Sequence, residues 1–162
     1  MVSIGLLTLS FNCYTIYITV KTNIIKVWGS SMLLELDFQS TVPIYTQLRN
    51  QIIQGIASGQ LKPGDPLPSV RNLAADLGIN LHTVNKTYTI LKQEGYIQIH
   101  RQKGVVINPE GMPKADQEFL ERLKEDLKPL IAEAICRHME EEDFLQISSQ
   151  VLQAIYNQRG RL

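Results

Sequence analysis

The apolar positions of the chain fall into blocks of different period. After Pro43, a residue favoured at the first position of a helix, Ile44, Leu48, Ile52 and Ile56 recur at helical spacing until Gly59. This predicts a first helix. The stretch LKPGDPLPS that follows packs three prolines and a glycine into nine residues, a tight connection that ends on Ser69, a good N-cap. Val70, Leu73, Ala74 and Leu77 then mark a second helix, and Gly78 suits its C-terminal cap because glycine tolerates positive φ. Asn80 caps a third helix with Val84, Tyr88 and Leu91 as its inner stripe and Gly95 as its end. Beyond Gly95 the period drops to two, with Ile97 and Ile99 on one strand and Val105 and Ile107 on another. Two amphipathic helices close the chain. Leu120, Leu123, Leu127, Leu130 and Ala134 follow 3-4-3-4 spacing, and Phe144, Ile147, Val151 and Ile155 form a second stripe. Pro129 is expected to kink or divide the first of these near Glu125.

The second and third helices, joined by a short glycine-containing turn, have the form of a helix-turn-helix, whose second member presents its N-terminal residues to base edges in the major groove. With Val84 and Tyr88 inward, those residues are Leu81, His82, Thr83, Asn85 and Lys86. Asn85 suits a bidentate pair with adenine, Lys86 a guanine or a phosphate, and Leu81 a thymine methyl, each good pair discriminating by ~1–3 kcal/mol. The predicted hairpin carries a basic tip, Arg101, Gln102, Lys103 and Gly104, which reads as a wing able to enter the neighbouring minor groove or grip phosphates. The fold class is therefore mostly α with a small β-wing: a winged helix-turn-helix domain over residues 32–113 and a two-helix dimerisation tail over residues 114–162. The stripe residues of the tail, Leu120, Leu123, Leu127 and Leu130 with Phe144, Ile147, Val151 and Ile155, are the dimerisation candidates.

Charge supports this division. The 162-residue chain has no net charge, which argues against nonspecific coating of nucleic acid. Yet Lys62 to Lys103 holds six basic residues against three acids, whereas from Lys114 onward there are seven against ten, with Glu140, Glu141, Glu142 and Asp143 consecutive. The tail would be repelled by phosphate. Two cysteines without a C-x-x-C pair suggest a reducing compartment, hence the cytoplasm, and neither a disulfide framework nor a zinc site.

Residues 1–31 form an apolar extension. Val2 to Val20 carries no charge and is long enough to span a membrane, but Ser, Thr, Asn12, Tyr14 and Tyr17 dilute it and no basic residue precedes it. A misassigned start with the domain opening at Met32 is the favoured reading, with a loosely attached strand or a membrane-tethered regulator as alternatives.

The runs PIYTQL, GQLKPGDPLPSVRNLAADLGIN, HTV and EGYIQIHRQKGVVI, in order over residues 42–107, resemble the GntR family of bacterial transcriptional regulators. The resemblance implies that Ser69 and Arg71 contact or orient the DNA backbone, that Thr83 and its neighbours approach the operator, and that the wing tip joins them. Two departures stand out. Asn80 and Leu81 occupy positions where the family often has Ser-Arg, and Arg101-Gln102-Lys103-Gly104 replaces an Arg-Gly-x-Gly wing, so base preference is not carried over and the tip loses one easy route to positive φ. The tail is too short for the ligand-binding or aminotransferase-like domains common in the family and is similar to the short YtrA subfamily, whose members are typically linked to transporter operons.

Each assignment has a plainer competitor. Ser69 serves first as an N-cap, with phosphate contact as an addition, and Arg71 has Asp65 and Asp76 as alternative surface partners. An enzyme is disfavoured: His82, His100 and His138 lie far apart, no G-x-S-x-G or phosphate-binding loop occurs, and no cofactor, metal or catalytic residue is expected. A protein whose tail is mainly an effector or partner surface is the remaining alternative, hinted at by the acidic run. The expected partners are double-stranded DNA and a second copy of the chain, with a small-molecule effector left open and repression by promoter occlusion the expected outcome.

Overall fold

The computed structural model describes residues 23–26 and 33–159. The apolar run Val2 to Val20 lies outside the described residues. The chain order is β1 (Asn23–Lys26), β2 (Leu33–Leu36), α1 (Ile44–Ala57), β3 (Pro66–Leu67), α2 (Val70–Leu77), α3 (Leu81–Gln93), β4 (Ile97–His100), β5 (Gly104–Ile107), α4 (Gln117–Cys136) and α5 (Glu141–Arg159). The fold is mostly helical with a small antiparallel wing. β1, which lies in the segment set apart as an extension, pairs antiparallel with β2 at the start of the domain, Asn23 opposite Leu36 and Lys26 opposite Leu33. Leu34 and Leu36 are buried and join the main core.

Pro43 caps α1 without a side-chain bond; its carbonyl accepts from the Thr46 and Gln47 amides. Two glutamines of α1 fasten the preceding chain. The Gln47 amide donates to the carbonyls of Asp37 and Val42 at 2.9 and 2.7 Å, and that of Gln51 bonds both the N–H and the C=O of Glu35.

Leu48, Ile52, Leu61, Leu73, Leu77, Val84, Tyr88, Leu91, Ile97 and Ile107 form the centre of the core. The inward stripes read from periodicity thus meet in one cluster, each large apolar side chain contributing roughly 1.5–3 kcal/mol when fully buried. Tyr88 is the largest of these, and its hydroxyl donates to the Pro68 carbonyl at 3.0 Å. Thr87 is also fully buried, its hydroxyl lying 3.1 and 3.2 Å from the Thr83 and Tyr45 carbonyls. Among the described residues no buried side-chain polar atom lacks a partner.

The stretch before Ser69 is more than a turn. Pro66 and Leu67 form β3, opposite Val106 and Val105, so the sheet has three strands in the order β3-β5-β4. A proline tolerates this position because the strand lies at the sheet's edge. The second departure is Ile99. Alternation placed it inward with Ile97, but it is 50% exposed, because only the base of the hairpin rests on the helices.

α4 runs unbroken through Pro129, which corrects the expected division near Glu125. Proline removes one N–H from the ladder, and the carbonyl it frees belongs to exposed Glu125, where water replaces the lost partner. A turn through His138, held at φ 58, reverses the chain into α5, which returns to touch α1. Neither tail helix has a buried residue. Leu120, Leu123, Leu127, Leu130, Ile147 and Val151 are exposed, Leu130 by 58%, and Phe144 and Ile155 are half-buried. No helix among the described residues is long and apolar enough to cross a membrane.

Candidate nucleic-acid interface

The geometry of the helix pair begins with its caps. The Ser69 hydroxyl accepts from the Asn72 amide at 3.2 Å and opens α2; Gly78, at φ 62, ends it. The Asn80 side chain accepts from the His82 amide at 2.8 Å and opens α3 two residues later. Such caps satisfy amides that the helix itself leaves unbonded and are each worth ~1 kcal/mol. They fix the start of α3 on the outside of the domain. Leu81, His82, Asn85 and Lys86 are exposed there, and Thr83 is half-buried.

Arg71 is exposed on the first turn of α2, and neither Asp65 nor Asp76 lies within ion-pair distance of it. Asp65 instead accepts from the Lys62 amide at 2.7 Å, within the turn before β3. The Arg71 guanidinium is therefore left for another partner.

At the wing, His100 pairs with Gly104, and Arg101, Gln102 and Lys103 form the exposed tip. Gly104 sits at φ 73, whereas Gln102 does not adopt positive φ. The loop closes with a single left-handed residue, so the missing first glycine does not prevent a tight tip. Its two cations project with no acid within ion-pair distance among the described residues.

Residues 44–107 match the bacterial regulatory proteins of the gntR family. The chain is also 37% identical over 102 residues to the HTH-type transcriptional repressor YtrA of Bacillus subtilis (strain 168), a match that spans 63% of this chain and 78% of that protein. The chain belongs to the GntR family. Within it the protein is YtrA-like, a DNA-binding transcriptional regulator rather than an enzyme. The HTH-type transcriptional regulator YhcF of the same strain is 32% identical over 108 residues, covering 67% of this chain and 84% of that one. A crystal structure of a transcriptional antiterminator from Listeria monocytogenes EGD-e superposes with a TM-score of 0.69 at 25% identity, over 75% of this chain and 90% of that one.

Two features of this GntR-family domain escaped the sequence reading. The first is Tyr45, on the first turn of α1. The Lys86 ammonium lies 3.6 Å from the centroid of its ring. The Thr46 side chain first, and Lys86 second, hold the Tyr45 phenol below its ordinary pKa. The signal was an aromatic residue inside PIYTQL that sits off the Ile44–Leu48–Ile52 stripe, and hence outside the core pattern. The second is Arg49 on α1, whose guanidinium grips Glu94 just past α3 through two bonds, Nη2 to Oε1 at 2.7 Å and Nε to Oε2 at 2.8 Å. Forty-five residues separate the partners, and no local spacing announces such a pair.

Among the described residues no three His, Cys, Asp or Glu side chains gather as metal ligands would. A cleft of about 290 Å³ opens beside the end of α3 and the start of α4, lined by Glu94, Tyr96, Pro113, Lys114, Phe119 and Arg122 among others. It lies at the base of the tail, not between the two tail helices.

Proposed function

We propose that the chain represses transcription in the cytoplasm by binding an inverted-repeat operator as a homodimer. Residues 32–113 act as the DNA reader and residues 114–162 as the dimerisation element. Leu81, His82, Thr83, Asn85 and Lys86 face the major groove; Ser69 and Arg71 hold the backbone; Arg101, Gln102, Lys103 and Gly104 reach the neighbouring groove or its phosphates. Among the relatives, YtrA is named a repressor.

The observation that carries this reading is the contrast between the two ends of the described chain. The reader buries its apolar stripes in a single core, whereas α4 and α5 keep theirs open, with no buried residue in either. A second copy covering Leu120, Leu123, Leu127 and Leu130 with Phe144, Ile147, Val151 and Ile155 removes that surface from water. Two α3 helices related by the dimer axis then address half-sites about one helical turn, or a small multiple of it, apart.

The test couples assembly to recognition. Light scattering of the purified full chain measures its mass in solution, and repeated selection from a random-sequence duplex pool finds the site it prefers. A dimer that enriches a palindrome supports the proposal; a monomer, or a pool that never enriches, overturns it.

A further inference from the structure

Lys86 differs from its neighbours on the outer face of α3. It leans back onto α1, where its ammonium rests over the ring of Tyr45, 3.6 Å from the centroid. Tyr45 is itself held to the same helix, because its carbonyl lies 3.2 Å from the hydroxyl of buried Thr87, one residue beyond Lys86. The Thr87 hydroxyl thus anchors the Tyr45 backbone beside α3, one residue from the cation that rests on its ring. An ammonium engaged this way retains its charge, since a ring face attracts a cation without neutralising it, and two faces of the ion remain open to a further partner.

We propose that Tyr45 is a positioning residue of the DNA interface, holding Lys86 at the flank of α3 so that its cation grips a backbone phosphate rather than a base edge. The inference rests on the DNA-reading function proposed above. A free lysine on a helix surface samples many rotamers and loses them on binding; one already docked on a ring has lost them on folding. The position also selects the partner. The recognition helix presents its N-terminal residues to base edges, and Lys86, on the second turn of α3, is drawn away from that end toward α1, which lies outside the helix-turn-helix pair.

The experiment uses the full chain and two probes: the duplex enriched by selection from a random pool, and a random-sequence duplex of equal length. Loss of the stacking partner in Tyr45→Leu should weaken binding to both duplexes by a similar factor, about three- to fivefold. Tyr45→Phe, which retains the ring, should bind like wild type. Lys86→Met should also weaken both and lower the slope of log affinity against log salt by about one. Combining Tyr45→Leu with Lys86→Met should add almost nothing to Lys86→Met alone. A merely structural tyrosine would instead show losses that multiply, even where phenylalanine restores them. The same holds for the free protein, in which the Lys86 ε-protons should be shifted upfield by the ring and released in Tyr45→Leu. Multiplying losses, a phenylalanine variant as weak as the leucine one, or a loss confined to the selected duplex overturns the proposal. If no duplex is enriched at all, the regulatory reading falls instead, while the proton shift still reports whether the pair exists.

Discussion

The Tyr88 hydroxyl and the Pro68 carbonyl, 3.0 Å apart, tie the centre of the recognition helix to the residue just before the cap of α2. The bond holds both helices of the reading unit to one point of the chain. Tyr88→Phe leaves the ring packed and the carbonyl partly unsatisfied, which costs about 1 kcal/mol or more. Urea unfolding of the two proteins at neutral pH should show that loss as a lower midpoint with an unchanged slope.

The same residue sets an alkaline limit. Burial pushes the Tyr88 phenol well above the ordinary tyrosine range. Below about pH 10 both the folded and the unfolded chain keep the proton, and its contribution is fully present. Above that, the unfolded chain releases a proton that the folded chain retains, so stability falls as pH rises. Wild type should lose stability more steeply than Tyr88→Phe between pH 10 and 11, read from thermal midpoints.

Arg49 and Glu94 are both partly sheltered, with side chains 26% and 21% exposed, and they meet through two parallel bonds. Two-point geometry places this pair toward the upper end of what surface ion pairs contribute, about 1 kcal/mol. A double-mutant cycle with Arg49→Met and Glu94→Gln should return a coupling of that size. A coupling near zero would show that the pair adds nothing to the hold of α1 on α3 beyond their apolar packing and the contacts of Thr87 and Lys86 with Tyr45.

The wing makes a separate prediction. Replacing Arg101 and Lys103 together by alanine should leave thermal stability unchanged, since both lie on the exposed tip. DNA affinity should fall on all sequences, with the salt slope lowered by about two. Gly104→Ala tests shape rather than charge: its added Cβ meets open space, but the residue sits at φ 73. About 1 kcal/mol of backbone strain should appear in the unfolding midpoint.

Leu127→Glu probes the tail. Leu127 is exposed and belongs to no part of the reader's core, so the variant should keep the circular dichroism and unfolding of the reader. Light scattering should report a mass halved relative to wild type, and affinity for a palindromic duplex should drop more than affinity for a half-site.

Most of the reader was legible in the sequence because its elements are local. Apolar residues at helical spacing, Ser69 and Asn80 as caps, and Gly78 as a stop each act within a few residues, and the structure places all of them as read. What was not legible depends on distant partners. β3 has only two residues and exists because Val105 and Val106 lie opposite it. Ile99 has the right alternation, but its exposure is decided by where the supporting helices end. Tyr45 and Arg49 gain their roles from α3 and from Glu94, forty or more residues onward. Pro129 misled for the converse reason: a local rule against proline in helices was outweighed by an exposed site, where water serves the freed carbonyl.

Gln51 does for β2 what a neighbouring strand would otherwise do. Its side-chain amide takes the N–H of Glu35 at 2.7 Å and donates to the carbonyl of the same residue, imitating a peptide group of an adjacent chain. An open strand is a template on which another polypeptide can extend the sheet, and proteins suppress such growth with charges, bulges or coverings. Here Gln51 acts as the covering, and Gln47 repeats the device on Asp37 just past the strand. Losing Gln51 exposes a hydrogen-bonding edge beside the buried Leu34 and Leu36, and the resulting hazard is aggregation rather than loss of recognition.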